Sequence, residues 1–162
     1  MRGTALSLLL FVALAPGAPH AAEAPALTLR GLDGQSAELT FDEIAALPRE
    51  KVEVEQHGAR HVYEGPLLGA LLERVGAPRG KDIRGPHMAD VVVLEAKDGY
   101  RVALDLAGTD AATRRERVIV AVAMDGAPIE GDAGPLRLIV EGDLRAARAA
   151  RMLTKITLVQ PH

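Results

Sequence analysis

Cysteine is absent from this 162-residue chain, which excludes disulfides, thiolate nucleophiles and thiolate metal ligands. Tryptophan is absent too, and with two Tyr and two Phe the aromatics amount to 2%. Few surfaces remain on which a base, a sugar or a flat cofactor can stack. Neither sign of charge dominates: 19 Lys and Arg stand against 22 Asp and Glu, a balance that leaves no footprint for nucleic acid or anionic membranes. The sequence holds no P-loop, no Gly-rich dinucleotide turn after a strand and no Ser/His/Asp arrangement with supporting context.

What is present begins with a targeting pattern. Met1 and Arg2 form a minimal charged start, and Ala5 to Ala15 (ALSLLLFVALA) is an apolar run too short to span a bilayer. Small residues with Pro and His follow up to Ala22, the outline of a secretory signal peptide cleaved near Gly17 or Ala22. A retained anchor needs a longer stretch. A single Arg is not a twin-arginine signal, so the expected route exports an unfolded chain to the periplasm. The expected organisation is a signal peptide over 1–22 and one domain over 23–162, long enough for an ordinary core. Without cysteine, that domain stands on packing alone even in an oxidising compartment.

Along the domain, short elements alternate with Gly and Pro. Leu27–Arg30 and Ala37–Thr40 flank the turn signal Leu32-Asp33-Gly34 and predict a hairpin. Thr40-Phe41-Asp42-Glu43 fits a capping box opening a short helix that ends before Pro48. Lys51–Gln56 and Arg60–Tyr63 predict a second hairpin across Gly58. Gly65-Pro66 opens a helix with Leu67, Leu68, Leu71, Leu72 and Val75 as its apolar stripe and Gly76 as its C-terminal cap. Asp90–Ala96 and Tyr100–Leu106 read as strands across an Asp98-Gly99 turn, the second with Tyr100, Val102, Leu104 and Leu106 facing inward. Val118–Met124, apolar throughout, predicts one central strand, followed by a turn at Asp125-Gly126. Leu136–Val140 and Lys155–Val159 are the last strands, with Leu144–Met152 helical between them. The sum is a mixed, strand-rich α+β domain.

The succession Tyr63-Glu64-Gly65-Pro66-Leu67-Leu68-Gly69-Ala70-Leu71-Leu72, Lys97-Asp98-Gly99-Tyr100, Met124-Asp125-Gly126-Ala127-Pro128-Ile129, Gly134-Pro135-Leu136-Arg137-Leu138-Ile139-Val140 and Arg151-Met152-Leu153-Thr154-Lys155-Ile156 resembles the molybdopterin-binding domain of the sulfite oxidase superfamily. The resemblance covers roughly residues 50–160. It implies a mixed domain with a groove at strand ends that binds the pterin of the molybdenum cofactor, the metal being held through a cysteine just ahead of the Gly-Pro-Leu-Leu helix. Here that neighbourhood reads Glu53-Val54-Glu55-Gln56-His57-Gly58-Ala59-Arg60-His61. It offers no soft thiolate, and imidazole or carboxamide is an unusual substitute at an oxo-molybdenum centre. In length, export signal and missing ligand the chain is similar to a cysteine-free, exported subset of the fold that binds pterins and signals through membrane partners.

Five residues are the candidate ligand contacts. Tyr100 falls where the resemblance implies an active-site tyrosine, able to hydrogen-bond an oxyanion or a pterin edge; the alternative is a plain inward strand residue. Arg137 matches the Arg of the Gly-Pro-x-Arg segment. Arg148 and Arg151, with Arg145, recur at three-residue spacing, and on a helix they form either an anion grip or a solvated basic face. His57 lies beside the position of the implied metal ligand. With His61, Glu55 or His87 it has the chemistry for zinc or copper but no recognised spacing, so these read as exposed loop histidines. Arg114-Arg115-Glu116-Arg117 reads as a solvated loop.

Three functions follow. The first is a periplasmic, non-catalytic protein binding a pterin or related anion and acting through a membrane signalling or redox partner. The second is an oxidoreductase that keeps its molybdenum cofactor through a non-cysteine ligand. The third is a ligand-free interaction module that retains only the scaffold.

Overall fold

The computed structural model describes residues 24–161; the expected signal peptide and its cleavage site lie outside the described residues. The first hairpin forms as the turn residues dictate: β1 (Leu27–Arg30) and β2 (Ser36–Leu39) pair antiparallel. Helix α1 (Phe41–Ala45) opens with the complete capping box, Thr40 Oγ1 accepting from Glu43 N (3.2 Å) and Glu43 Oε2 accepting from Thr40 N (2.8 Å). Strands β3 (Glu50–Gln56) and β4 (Ala59–Gly65) form the second hairpin. Helix α2 (Leu68–Leu72) tightens into a 3₁₀ turn over Glu73–Val75 and stops at Gly76, whose φ of 73° is left-handed, so only the residue without a Cβ ends the helix there unstrained. Leu68, Leu71, Leu72 and Val75 are buried, as their spacing predicts.

Strands β5 (Val91–Ala96) and β6 (Arg101–Asp105) join the first hairpin and the last strand, β11 (Leu153–Val159), in a five-stranded sheet of order β2-β1-β11-β5-β6, in which only β1 and β11 run parallel. The apolar run Val118–Met124 is not one strand. It breaks at Val122 into β7 (Val118–Ala121) and β8 (Ala123–Met124). The break separates two pairings, because β8 joins β4 and β9 (Ala127–Pro128) while β7 pairs with β10 (Arg137–Val140). Val120 N to Pro66 O (2.9 Å) and Val122 N to Glu64 O (2.8 Å) tie β7 to the end of β4. Gly65 permits that approach: a Cβ on it lies 2.0 Å from Val120 O.

Every residue of β7 is buried because the strand stands between two cores. Val118, Val120 and Val122 face the larger core, with Leu136, Leu138 and Val140 from the β10 side, while Ile119, Ala121 and Ile139 face the smaller one, with Val52 and Tyr63. The alternation is the ordinary two-residue period of a strand, and a continuous apolar run is its sequence form when both faces are covered.

The expected helix over Leu144–Met152 does not form. Only Ala146–Arg148 makes a 3₁₀ turn, Arg145 is extended (φ −138°, ψ 142°) and Met152 has φ 51°. The segment spends its backbone on β10 instead: Leu138 N donates to Ala150 O (2.8 Å), and Arg137 bridges Arg151. Tertiary pairing overrides the helix propensity of its alanines.

Candidate functional site

The Asp98-Gly99 turn presents Tyr100. Asp98 Oδ1 accepts from Tyr100 N (2.9 Å), and Gly99 takes the positive φ of 86° that the turn needs. Contrary to the alternating-strand expectation, the ring does not enter the core. It is 49% exposed, because the inward alternation of β6 begins only at Val102 and continues at Leu104. The ring is nonetheless fixed, since its hydroxyl donates to Ala147 O at 2.6 Å. With its one proton committed there, the phenol presents a ring face and an acceptor, not a donor, to any ligand.

Beside it, Arg151 is exposed and its guanidinium has no hydrogen-bond or ion-pair partner among the described residues. Tyr100, Arg151 and Asp98 line one cleft of about 180 Å³, walled by Ala146, Ala147, Ala149 and Ala150. Of the five sequence-predicted contacts, the structure brings Tyr100 and Arg151 together. Because the helix is absent, the three arginines do not share a face: Arg148 Nε donates to Asp143 Oδ2 (2.9 Å) and its Nη2 reaches Asp143 Oδ1, which holds the guanidinium more firmly protonated than usual. Arg145 turns toward the β3 side.

Arg137 is next to Arg151 along the backbone, but its side chain runs into the smaller core. There Nη1 donates to Tyr63 Oη (2.9 Å) and Nη2 to Gln56 Oε1 (3.2 Å), while the guanidinium carbon lies 5.2 Å from the Tyr63 ring centroid. Tyr63 also donates to Gln56 Oε1 (3.3 Å). Burial pushes the Tyr63 phenol above its ordinary pKa, and the nearby Arg137 charge opposes that rise. Gln56 Nε2 and Arg137 Nε are buried without partners among the described residues. Sequence reasoning missed Tyr63 and Gln56 as Arg137's partners. It also read Asp98 only as a turn former.

His57 sits at the tip of the β3–β4 hairpin with φ 53°, exposed, and lines a different cleft with Glu53, Glu55, Asp143 and Leu144. The other histidines described in the structure are engaged separately, His61 with Asp125 and His87 with Asp90, each at 2.7 Å. Among the described residues no three His, Cys, Asp or Glu converge. The Arg114–Arg117 run is only partly solvated, because Arg117 is half-buried and forks onto Glu141 (Nε–Oε2 and Nη2–Oε1 both 2.9 Å).

The resemblance implies a thiolate ligand to molybdenum just ahead of the Gly-Pro-Leu-Leu helix, in the neighbourhood of the β3–β4 hairpin. The residues there are carboxylates, an amide and an imidazole. Gln56 already accepts from both Arg137 and Tyr63, and the cavity beside it holds about 10 Å³, the room of one water. These residues do not fit the metal. The Tyr100 cleft is likewise below the roughly 300–1,000 Å³ of a full cofactor site.

The family model for the oxidoreductase molybdopterin binding domain matches residues 16–162. Among solved structures, the sulfane dehydrogenase SoxCD from Paracoccus pantotrophus is similar to the chain, with a TM-score of 0.60 at 16% identity over 83% of this chain, a likeness of fold. The chain spans 38% of that structure's length. No curated protein matches it.

Proposed function

The chain belongs to the oxidoreductase molybdopterin binding domain family, and from that premise we propose that it is a non-catalytic, exported member that binds a pterin or related anionic ring in the Tyr100–Arg151 cleft and signals its occupancy to a membrane partner. The observation that carries the reading is the pairing of a fixed, exposed aromatic face with the guanidinium of Arg151, which has no partner among the described residues. Aromatics are scarce in this chain, Tyr63 is buried and Phe41 is partly buried against the larger core. Tyr100 is therefore the exposed ring that the described residues offer for stacking. The family supplies the pterin as ligand class, and the missing thiolate supports a binding role over turnover. Export and the membrane partner rest on the N-terminal sequence pattern and on the resemblance to exported pterin-binding proteins.

Titrating the exported protein into pterin is expected to quench the pterin's fluorescence and raise the protein's thermal midpoint. Tyr100→Ala is expected to weaken binding about 5- to 150-fold, the worth of one stacked ring. No response to any pterin overturns the reading. Stoichiometric molybdenum in protein from a molybdenum-replete host overturns its non-catalytic half.

A further inference from the structure

Strand β3 is the outer strand of its sheet, whose order is β3-β4-β8-β9. The two-residue turn His57-Gly58, with positive φ at both positions (53° and 79°), makes Gln56 and Ala59 the hydrogen-bonded pair that closes the hairpin. Ladder bonds alternate along a strand, so Val54 and Val52 also bond β4, while Lys51, Glu53 and Glu55 aim their N–H and C=O groups away from it. Strand β4 agrees with this phase: Val62 and Glu64, opposite Glu53 and Lys51, turn their carbonyls to Asp125 N and Val122 N, both at 2.8 Å. Among the described residues the outward groups of β3 have no hydrogen-bond partner, and all three residues are exposed. Such a row is a template for one more strand.

The charges beside the edge select the occupant. Glu53, Glu55 and Asp143 line one cleft of about 430 Å³ with His57 and Leu144. Glu53 meets only the exposed Arg60, at 3.5 Å, and Glu55 forms no ion pair among the described residues. Leu144, wholly exposed, adds an apolar contact on the same cleft. A second copy docked antiparallel about Glu53 pairs Lys51 with Glu55 but sets Glu53 against its own counterpart at the centre, where like charges repel. A cationic strand meets carboxylates at both outward positions. We propose that the free edge of β3 is the docking site of a partner protein, which adds an extended segment alternating Lys or Arg with apolar residues as a fifth strand. This deepens the partner half of the function proposed above and rests on that reading for the existence of a partner. Residues 142–151 border both sites, lining this cleft at Gly142, Asp143 and Leu144 and the Tyr100 cleft from Ala146 to Arg151.

The test is hydrogen exchange, read amide by amide by NMR on the exported protein. The probes are a seven-residue peptide alternating lysine and valine, blocked at both ends, and the same peptide with glutamate for lysine. In the free protein the amides of Lys51, Glu53 and Glu55 are expected to exchange fast and those of Val52 and Val54 slowly. At ten times its Kd the lysine peptide is expected to slow the first three about ten-fold, since exchange then proceeds from the free fraction, and the glutamate peptide to leave them unchanged. Glu55→Lys, an exposed change that keeps the fold, is expected to weaken the lysine peptide about 2- to 30-fold, because one attractive cross-strand pair becomes repulsive. Unslowed amides in the presence of the lysine peptide overturn the proposal, and equal protection by the glutamate peptide overturns its cationic occupant. Protection that appears without peptide and grows with protein concentration assigns the edge to a second copy and overturns it as well. None of these outcomes alters the pterin titration, which tests the ligand half by itself.

Discussion

The guanidinium of Arg137 lies over the Tyr63 ring, its carbon 5.2 Å from the centroid, and donates to that same residue's hydroxyl at 2.9 Å. With Gln56 it closes a polar knot against Val52, Ile119 and Ile139 in the smaller core. Its first role is thus structural. Arg137→Met keeps the apolar stem of the side chain but removes the charged donors to Tyr63 Oη and Gln56 Oε1, and hydrogen bonds to a charged group contribute about 1.5–3 kcal/mol. Urea unfolding is expected to show a loss of that size, with pterin affinity changed far less. A variant as stable as wild type contradicts the knot.

The approach of β4 to β7 makes a second prediction. Gly65→Ala drives its methyl carbon to within 2.0 Å of Val120 O, a backbone atom that cannot swing aside. Overpacking of this kind costs about 3 kcal/mol or more, so the variant is expected to unfold at markedly lower urea or to fail to accumulate. A loss below about 1 kcal/mol, within the range of an ordinary surface change, means that the two strands sit farther apart than described.

The hairpins, the capped helix and the Gly76 stop were legible because their signals are local: a turn dipeptide, a Thr-x-x-Glu, a left-handed glycine. The strand-rich class followed from them. Leu144–Met152 misled because its alanines carry helix propensity while the partner claiming its backbone, β10, is recognisable only in three dimensions. The site divides in the same way. Tyr100 was reached through family resemblance and Arg151 through the three-residue spacing of arginines on a helix that does not form, yet the two do share a cleft. Arg137 is diverted to partners 74 and 81 positions away, which no local pattern reports. Asp98, seen as a turn residue, also lines the cleft that Tyr100 and Arg151 share, which its turn signal does not report.

Acid should expose the arginine–carboxylate clasps. The hydrogen bonds from Arg117 hold Glu141 below its ordinary pKa against the opposing effect of burial. For Asp110 burial pushes upward, but the amides of Ala112 and Gly80 together with Arg79 outweigh it and hold the group low. Unfolded values are about 4.3 for Glu and 3.9 for Asp. As the pH falls through that range the folded state binds fewer protons than the unfolded chain, so the stability these groups contribute is present above it and is lost toward the lower folded values. The thermal midpoint is expected to be flat from about pH 7 to 5 and to fall below about pH 4. Glu141→Gln is expected to lower the plateau and soften the fall. A midpoint at pH 3 equal to that at pH 7 removes this account.

The bond from Tyr100 to Ala147 separates two roles for the ring. If the hydroxyl met the ligand, Tyr100→Phe would lose as much affinity as Tyr100→Ala. In the structure the proton is spent on a carbonyl of the cleft wall, 2.6 Å away, and the ligand is left with the ring. Tyr100→Phe is therefore expected to cost only what a loosened wall costs, about 0.5–1.5 kcal/mol for one hydrogen bond and toward the lower end because the bond is exposed. Tyr100→Ala forfeits the stack itself, about 1–3 kcal/mol. Fluorescence titration of pterin into the two variants distinguishes these outcomes, and equal losses would return the hydroxyl to the ligand and take the stacking role from the ring.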